Sequence, residues 1–320
     1  MNTSRPIRVV FLGAGAFGVP SLKMILDRYE VPLVLSQPDR PAGRGRSSTP
    51  TPISGEIESL GAEAPELLRV EDVNTPETIS RIHELKPDVM LVIAFGQKLG
   101  PELLANQMAI NLHASLLPRW RGAAPINRAM MAGDDNAGVS IISLASRMDA
   151  GDVHAVRSTP VDPEETAGEL HDRLAELGVE AVAEVIDSCR TNPIVPRAQD
   201  ESDVTAAHKL SKKEATVSFH QAASAARAKI HGLTPWPGCD VVVDGMTVRL
   251  KRVRNEEWAP VEGVDPGTLL SEGRIACREG ALRLLEVQPP GKGIMTWEAF
   301  QRGRSLPLGS VFSPFPERDT

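Results

Sequence analysis

The sequence has little of what marks several large classes of protein. Its 320 residues hold three cysteines, Cys189, Cys239 and Cys277. They lie too far apart for a disulfide framework or a Cys-x-x-Cys metal site. That usage suits a reducing cytoplasm. No apolar run approaches the roughly 20 residues that a membrane-spanning helix needs. The N-terminus leads only into the short apolar run Val9–Leu12, too short for the core of a signal peptide. A cytoplasmic protein with no membrane attachment is therefore expected. His83, His154, His171, His208, His220 and His231 show no paired ligand spacing, so no metal is expected. The chain also lacks internal repeats and low-complexity tracts.

What is present is ordinary for a globular chain, with 41% hydrophobic and 24% charged residues. A net charge of −7 argues against a generic nucleic-acid binder. The charge is uneven, however. Residues 1–208 carry 19 Lys+Arg against 29 Asp+Glu, and residues 209–320 carry 16 against 13. The mildly basic C-terminal third permits a polyanionic partner without demanding one.

Continuous apolar runs at Ile7–Leu12, Val31–Leu35, Val89–Ala94, Ala109–Leu112 and Val139–Leu144 read as strands buried on both faces. Thr75-Pro76 marks a helix start, with Thr as N-cap and Pro at the first position. Thr166-x-x-Glu169 is a capping box ahead of Leu170, Leu174, Leu177 and Ala181 at helical spacing. Strands alternating with helices predict an α/β fold with a mostly parallel sheet covered on both faces. That domain spans residues 1–190. A linker rich in Pro and acids follows over 191–208. Beyond it, over 209–320, come short β-like runs at Val241–Val243, Thr247–Val253, Gly267–Leu270 and Ala281–Val287. They predict a small, mainly β barrel or sandwich with one helix near Gln221–Ile230.

Three segments carry candidate chemistry. The first is Gly13-Ala-Gly15-Ala-Phe17-Gly18, a literal G-x-G-x-x-G between a strand and a helix. A dinucleotide pyrophosphate would suit it, but the second strand ends Leu35-Ser36-Gln37, without the acid that holds a ribose. The alternative is a glycine loop that simply lets the turn close. The second is Pro38-Asp-Arg40-Pro-Ala-Gly-Arg44-Gly-Arg46. It reads either as a cationic loop that folds onto a phosphate backbone or as a solvated surface loop.

The third segment is Asn111-Leu-His113-Ala-Ser115-Leu-Leu-Pro118-Arg-Trp-Arg121-Gly122. Side chains two apart on a strand share a face, so Asn111 and His113 stand together at a strand's carboxyl end. Ligands of open α/β sheets bind at that edge. Asp149 follows the fifth strand in Met148-Asp-Ala-Gly151. A parallel sheet would bring the ends of the fourth and fifth strands together, so that Asp149 orients His113. Asn and His donate to a developing oxyanion, and a carboxylate–imidazole pair takes a proton from an attacking amine. Ser115 offers a hydroxyl but lacks the Gly-x-Ser-x-Gly elbow of a nucleophile.

The string Asn111-x-His113-x-Ser115-Leu-Leu-Pro118, with Asp149-x-Gly151 downstream, resembles the formyltransferases that draw on 10-formyltetrahydrofolate. Ser115–Ile126, Gln37–Gly45, Lys209-Leu-Ser-Lys-Lys-Glu214 and Pro235-Trp-Pro-Gly238 are similar to the branch of that family whose acceptor is a methionyl initiator tRNA. The resemblance implies a Rossmann-like catalytic domain, a linker and an OB-fold-like C-terminal domain that binds tRNA. It implies catalysis by Asn111, His113 and Asp149. It places the folate at Ser115, Leu116, Leu117 and Pro118, and at Ile93, Phe95 and Gly96. It assigns tRNA contacts to Arg40, Arg44, Arg46, Lys209 and Lys212. The first loop departs from the family's common Gly-Thr-Pro-x-Phe-Ala. A monomer is expected.

Overall fold

The computed structural model describes residues 5–42, 47–190 and 193–315. Two compact units emerge, each built from interleaved stretches of chain. The first comprises Met1–Arg121, Gly138–Ser158 and Asp172–Thr205, and the second Gly122–Ala137, Thr159–His171 and Ala206–Thr320.

The first unit is built on a seven-stranded sheet. In chain order the strands are β1 (Arg8–Gly13), β2 (Glu30–Ser36), β3 (Glu66–Arg69), β4 (Val89–Ile93), β5 (Ala109–His113), β6 (Asn136–Ser143) and β7 (Val153–Pro160). Across the sheet they run β7-β6-β5-β4-β1-β2-β3. β1 pairs in parallel with β2 and β4, β2 with β3, and β4 with β5. The central strands are apolar throughout because both faces are covered. Val10, Leu12, Leu33, Leu35, Met90 and Val92 belong to one core cluster.

Helix starts follow local chemistry. The helix Pro76–Leu85 begins with the Thr75 hydroxyl accepting from the Thr78 N–H, and it ends at Lys86 in the left-handed region. The capping box forms as its spacing implies, at the head of the helix Ala167–Ser188. The Thr166 N–H donates to Glu169 at 2.8 Å, and the Glu169 N–H donates back to the Thr166 hydroxyl at 3.4 Å.

One expectation is corrected. The fifth apolar run, in β6, pairs antiparallel with β5, matching Ile110 to Ser143 and His113 to Ser140. Its carboxyl end therefore lies beside the start of β5, not beside His113. The physical reason is that an interior strand is apolar on both faces whichever way it runs, so its pattern carries no direction.

The second unit holds an antiparallel sheet. Its strands are β8 (Cys239–Val243), β9 (Met246–Glu256), β10 (Arg274–Ala276), β11 (Ala281–Gln288), β12 (Met295–Thr296) and β13 (Ser313–Pro314). Their order is β10-β11-β9-β8-β13, with β12 also on β11. β8 and β9 are joined by Asp244-Gly245, both at positive φ, as a two-residue hairpin turn requires. Register shifts on either side of Arg252 curl β9 against β11. Phe219, Trp297, Phe300 and Phe312 fill the core with the strand aliphatics. The expected helix is Ala223–Gly232. Gly267–Leu270, expected as a strand, makes only isolated bridges through Thr268 and Leu269. Among the described residues no helix is long and apolar enough to cross a membrane.

Candidate active site

β1, β4 and β5 reach the same carboxyl edge. Gly13 pairs with Ile93, and Val92 pairs with Asn111. β5 accordingly delivers Asn111, half-buried, and His113, buried, at the edge where ligands of parallel sheets bind. The Asn111 carboxamide makes no hydrogen bond among the described residues. The amide is therefore open to a ligand at this edge.

The imidazole of His113 is clamped. Its Nε2 lies 2.9 Å from the Trp120 carbonyl oxygen. A carbonyl only accepts, so Nε2 carries the hydrogen. Nδ1 is thereby turned to Asp149, 3.6 Å from Oδ2. That distance is an electrostatic contact and too long for a formed hydrogen bond. The two side chains are only 7% and 15% exposed, so solvent screens their interaction weakly.

Asp149 reaches His113 without the strand geometry expected of it. The segment after β6 turns back, and the Ser143 N–H bonds to the Asp152 carbonyl at 2.9 Å. A Cβ on Gly151 would fall 1.7 Å from the Ser143 carbonyl oxygen, so only glycine fits the return. Trp120 (φ 64°) and Asp149 (φ 53°) both take left-handed backbone. Asp tolerates that region, but a bulky Trp adopts it only where its surroundings impose it.

The loop after β5 closes on itself. The Ser115 hydroxyl donates to the Arg119 carbonyl at 2.7 Å. The Ser140 hydroxyl donates to the Ser115 carbonyl at 2.7 Å and accepts from the Leu117 N–H at 3.2 Å. Ser115 is therefore a loop-closing residue. Leu116, Leu117 and Pro118 are partly accessible. The side chains of Ile93 and Phe95 are in the core, at 0% and 2% exposure. What that segment offers a ligand is backbone, at exposed Ala94 and Gly96. The Phe95 carbonyl is already taken by Gln37 Nε2 at 2.8 Å.

The glycine-rich first loop is explained by packing. A Cβ on Gly13 would meet Phe11 at 2.5 Å and the Ile93 carbonyl at 2.9 Å, and one on Gly18 would meet Phe11 at 3.2 Å. At the end of β2, where a ribose-binding acid would stand, the Ser36 hydroxyl pairs with Thr51 at 2.6 Å.

Of the expected tRNA contacts, Arg44 and Arg46 lie outside the described residues. Arg40 is exposed and donates to Gln37 at 2.9 Å. Lys209 and Lys212 are exposed and make no ion pair among the described residues. Behind them stands Arg128, which sequence reasoning missed. Its guanidinium donates to the carbonyls of His208 (2.9 Å) and Lys209 (3.2 Å) and pairs with Glu214. Among the described residues no group of His, Cys, Asp and Glu could hold a metal ion.

Comparison with known proteins accords with this geometry. Residues 7–186 match the formyl transferase family model, and residues 209–305 match the model of the formyl transferase C-terminal domain. A methionyl-tRNA formyltransferase of Methylococcus capsulatus is 37% identical, with 94% of this chain and 98% of that protein covered. One from Cereibacter sphaeroides is 39% identical, covering 95% of this chain and 99% of that protein. Among solved structures, WlaRD, a sugar 3N-formyl transferase, gives a TM-score of 0.64 at 14% identity, covering 91% of this chain and all of that one. HypX of Aquifex aeolicus, solved with tetrahydrofolic acid, gives 0.59 at 19% identity over 93% of this chain. This chain spans only 47% of the HypX chain, so that likeness speaks for fold alone. With both domain models matched in order and relatives similar over nearly their full length, the chain belongs to the methionyl-tRNA formyltransferase family of formyl transferases.

Proposed function

We infer that the protein transfers a formyl group from 10-formyltetrahydrofolate to the α-amino group of methionyl initiator tRNA, giving formylmethionyl-tRNA for translation initiation. The observation that carries this reading is the Asn111 amide, without a partner among the described residues, at the sheet edge that also holds the His113–Asp149 pair, in a chain related to methionyl-tRNA formyltransferases over 94% of its length.

The bound folate supplies the formyl group in a form open to attack by an amine. The Asn111 N–H donates to the formyl oxygen as that oxygen gains negative charge. Its amide has no bond to another described residue to give up, and such a donor is worth roughly 10²–10³ in rate. His113 has spent Nε2 on Trp120, so Nδ1 is the nitrogen left to serve. A neutral ring turns a lone pair there toward the Asp149 carboxylate. A proton held between Nδ1 and Oδ2 relieves that opposition, so the pair takes the proton shed by the attacking amine. The carbon–nitrogen bond to the donor then breaks, and the departing nitrogen is protonated. No covalent bond to the enzyme forms.

Ser115, Leu116, Leu117 and Pro118, with the backbone at Ile93, Phe95 and Gly96, line the folate site in this reading. Leu116 and Leu117 give partly accessible apolar surface, and the exposed backbone at Gly96 gives polar groups for a planar heterocycle. Arg40, Arg44, Arg46, Lys209 and Lys212 contact tRNA phosphates, and the enzyme works as a monomer. The test is incubation with methionyl initiator tRNA and 10-formyltetrahydrofolate, with an elongator methionyl-tRNA as control. Formylation of the initiator alone is expected. Failure to formylate either tRNA overturns the reading.

A further inference from the structure

The segment expected to be a plain linker grips the catalytic loops. Arg197 exchanges backbone hydrogen bonds with Val153, at 2.8 and 2.9 Å, which fixes its register two residues before Gln199. Gln199 Nε2 then donates to two carbonyls, those of Asp149 at 2.8 Å and Gly151 at 2.7 Å. Its Oε1 accepts from Arg121 Nε at 2.9 Å. The amide orientation is unambiguous, because carbonyls only accept and a guanidinium only donates.

Glu201, two residues on, bridges Arg121 at 3.0 Å and Arg147 at 2.9 Å. The hydrogen bonds from Arg147 and then Arg121 hold its carboxyl at about 2. Thr205 completes the strap. Its hydroxyl accepts from the Trp120 N–H at 2.8 Å, and its carbonyl accepts from the Arg121 N–H at 2.9 Å. One stretch of chain thus holds both the loop that presents the Trp120 carbonyl to His113 and the loop that carries Asp149.

We propose that Gln199 is a positioning residue for formyl transfer, its two N–H bonds to the Asp149 and Gly151 carbonyls setting the Asp149 carboxylate against His113. The inference rests on the catalytic reading of His113 and Asp149 given above. Asp149 sits in left-handed backbone and approaches His113 at 3.6 Å without a formed hydrogen bond. Its position is therefore imposed from outside the pair, and Gln199 bonds directly to its backbone. Small errors in such placement cost catalysis disproportionately.

The test uses full-length enzyme with methionyl initiator tRNA and 10-formyltetrahydrofolate. Gln199→Leu keeps the volume and removes both donors. Gln199→Glu also removes them but keeps the acceptor for Arg121. Both variants are expected to lower kcat about 10- to 100-fold, with KM for each substrate within about twofold and an unchanged circular dichroism spectrum. In an Asp149→Asn background, Gln199→Leu is expected to add less than about threefold, because it acts through the group already removed. The proposal is overturned if both variants keep their turnover, if the loss falls on KM, or if the loss is as large in the Asp149→Asn background as in the parent. Unfolding of both variants would assign Gln199 to stability and overturn it too. An Asp149→Asn enzyme with near-parental turnover would remove the catalytic reading itself, and this inference with it.

Discussion

The carboxyl edge of the first unit and the charged surface of the second treat polar groups in opposite ways. At the edge, the Asn111 amide has no partner among the described residues, and His113 meets Asp149 at a distance short of a hydrogen bond. In the second unit, arginines are tied to carboxylates: Arg249 to Asp240 at 2.7 Å, Arg252 to Glu169 at 2.6 Å, Arg274 to Glu256 at 2.7 Å. Groups that are already satisfied have nothing further to offer a ligand. The Asn111 amide, without a partner among the described residues, does. In the proposed reading, pairing more than residue type separates chemistry from scaffolding here. Lys209 and Lys212 are exposed and make no ion pair among the described residues, and in the proposed reading they are left to meet tRNA phosphates.

The largest loss of activity is expected from Asn111→Ala. We expect kcat to fall about 10²–10³-fold, equivalent to about 3–4 kcal/mol of barrier, with thermal stability unchanged. Steady-state kinetics alongside a melting curve would check it, and a variant that melts early but turns over normally would make Asn111 scaffolding.

Gly13→Ala should do the reverse. Its new methyl meets Phe11 and a backbone carbonyl, so a loss of about 1–3 kcal/mol is expected in denaturant unfolding of the protein without ligand. A variant of parental stability would mean the glycine serves something other than packing.

Glu169→Gln probes the paired side. Burial pushes the Glu169 carboxyl up, but hydrogen bonds from Arg252 and Thr166 outweigh it and hold the group at about 2, against an ordinary 4.5. A carboxyl lowered on folding adds stability above the unfolded value, and that stability drains away as pH falls from about 4.5 toward 2. The side chain is half exposed, so screening leaves about 1 kcal/mol at neutral pH. The variant should therefore melt a few degrees early at pH 7 and match the parent near pH 2. A gap independent of pH would remove the ion pair as its cause.

The smallest effect is expected from Lys212→Ala and Arg44→Ala. Each should weaken tRNA binding several-fold and flatten its logarithmic salt dependence by about one. An unchanged slope would return that residue to the solvated surface.

The order of apolar runs and helix caps in the sequence was enough for the α/β class, the mainly β unit that follows it in the chain, and Asn111 and His113 on one strand face. These follow from short apolar runs, from period-two alternation along a strand and from the Thr75 and Thr166 caps, all of which act over a few residues. Three matters were decided only by tertiary structure. β6 runs antiparallel, because a strand buried on both faces encodes no direction. The Ser115 hydroxyl closes a loop and the side chains of Ile93 and Phe95 are buried, because the direction of a side chain at a strand end or in a loop is not written in a list of residues. Gln199, Glu201 and Thr205 strap the loops that carry Trp120 and Asp149 across some 50 to 85 residues of sequence, as a hydrogen bond depends on proximity in space and leaves no period or spacing in the chain to betray it.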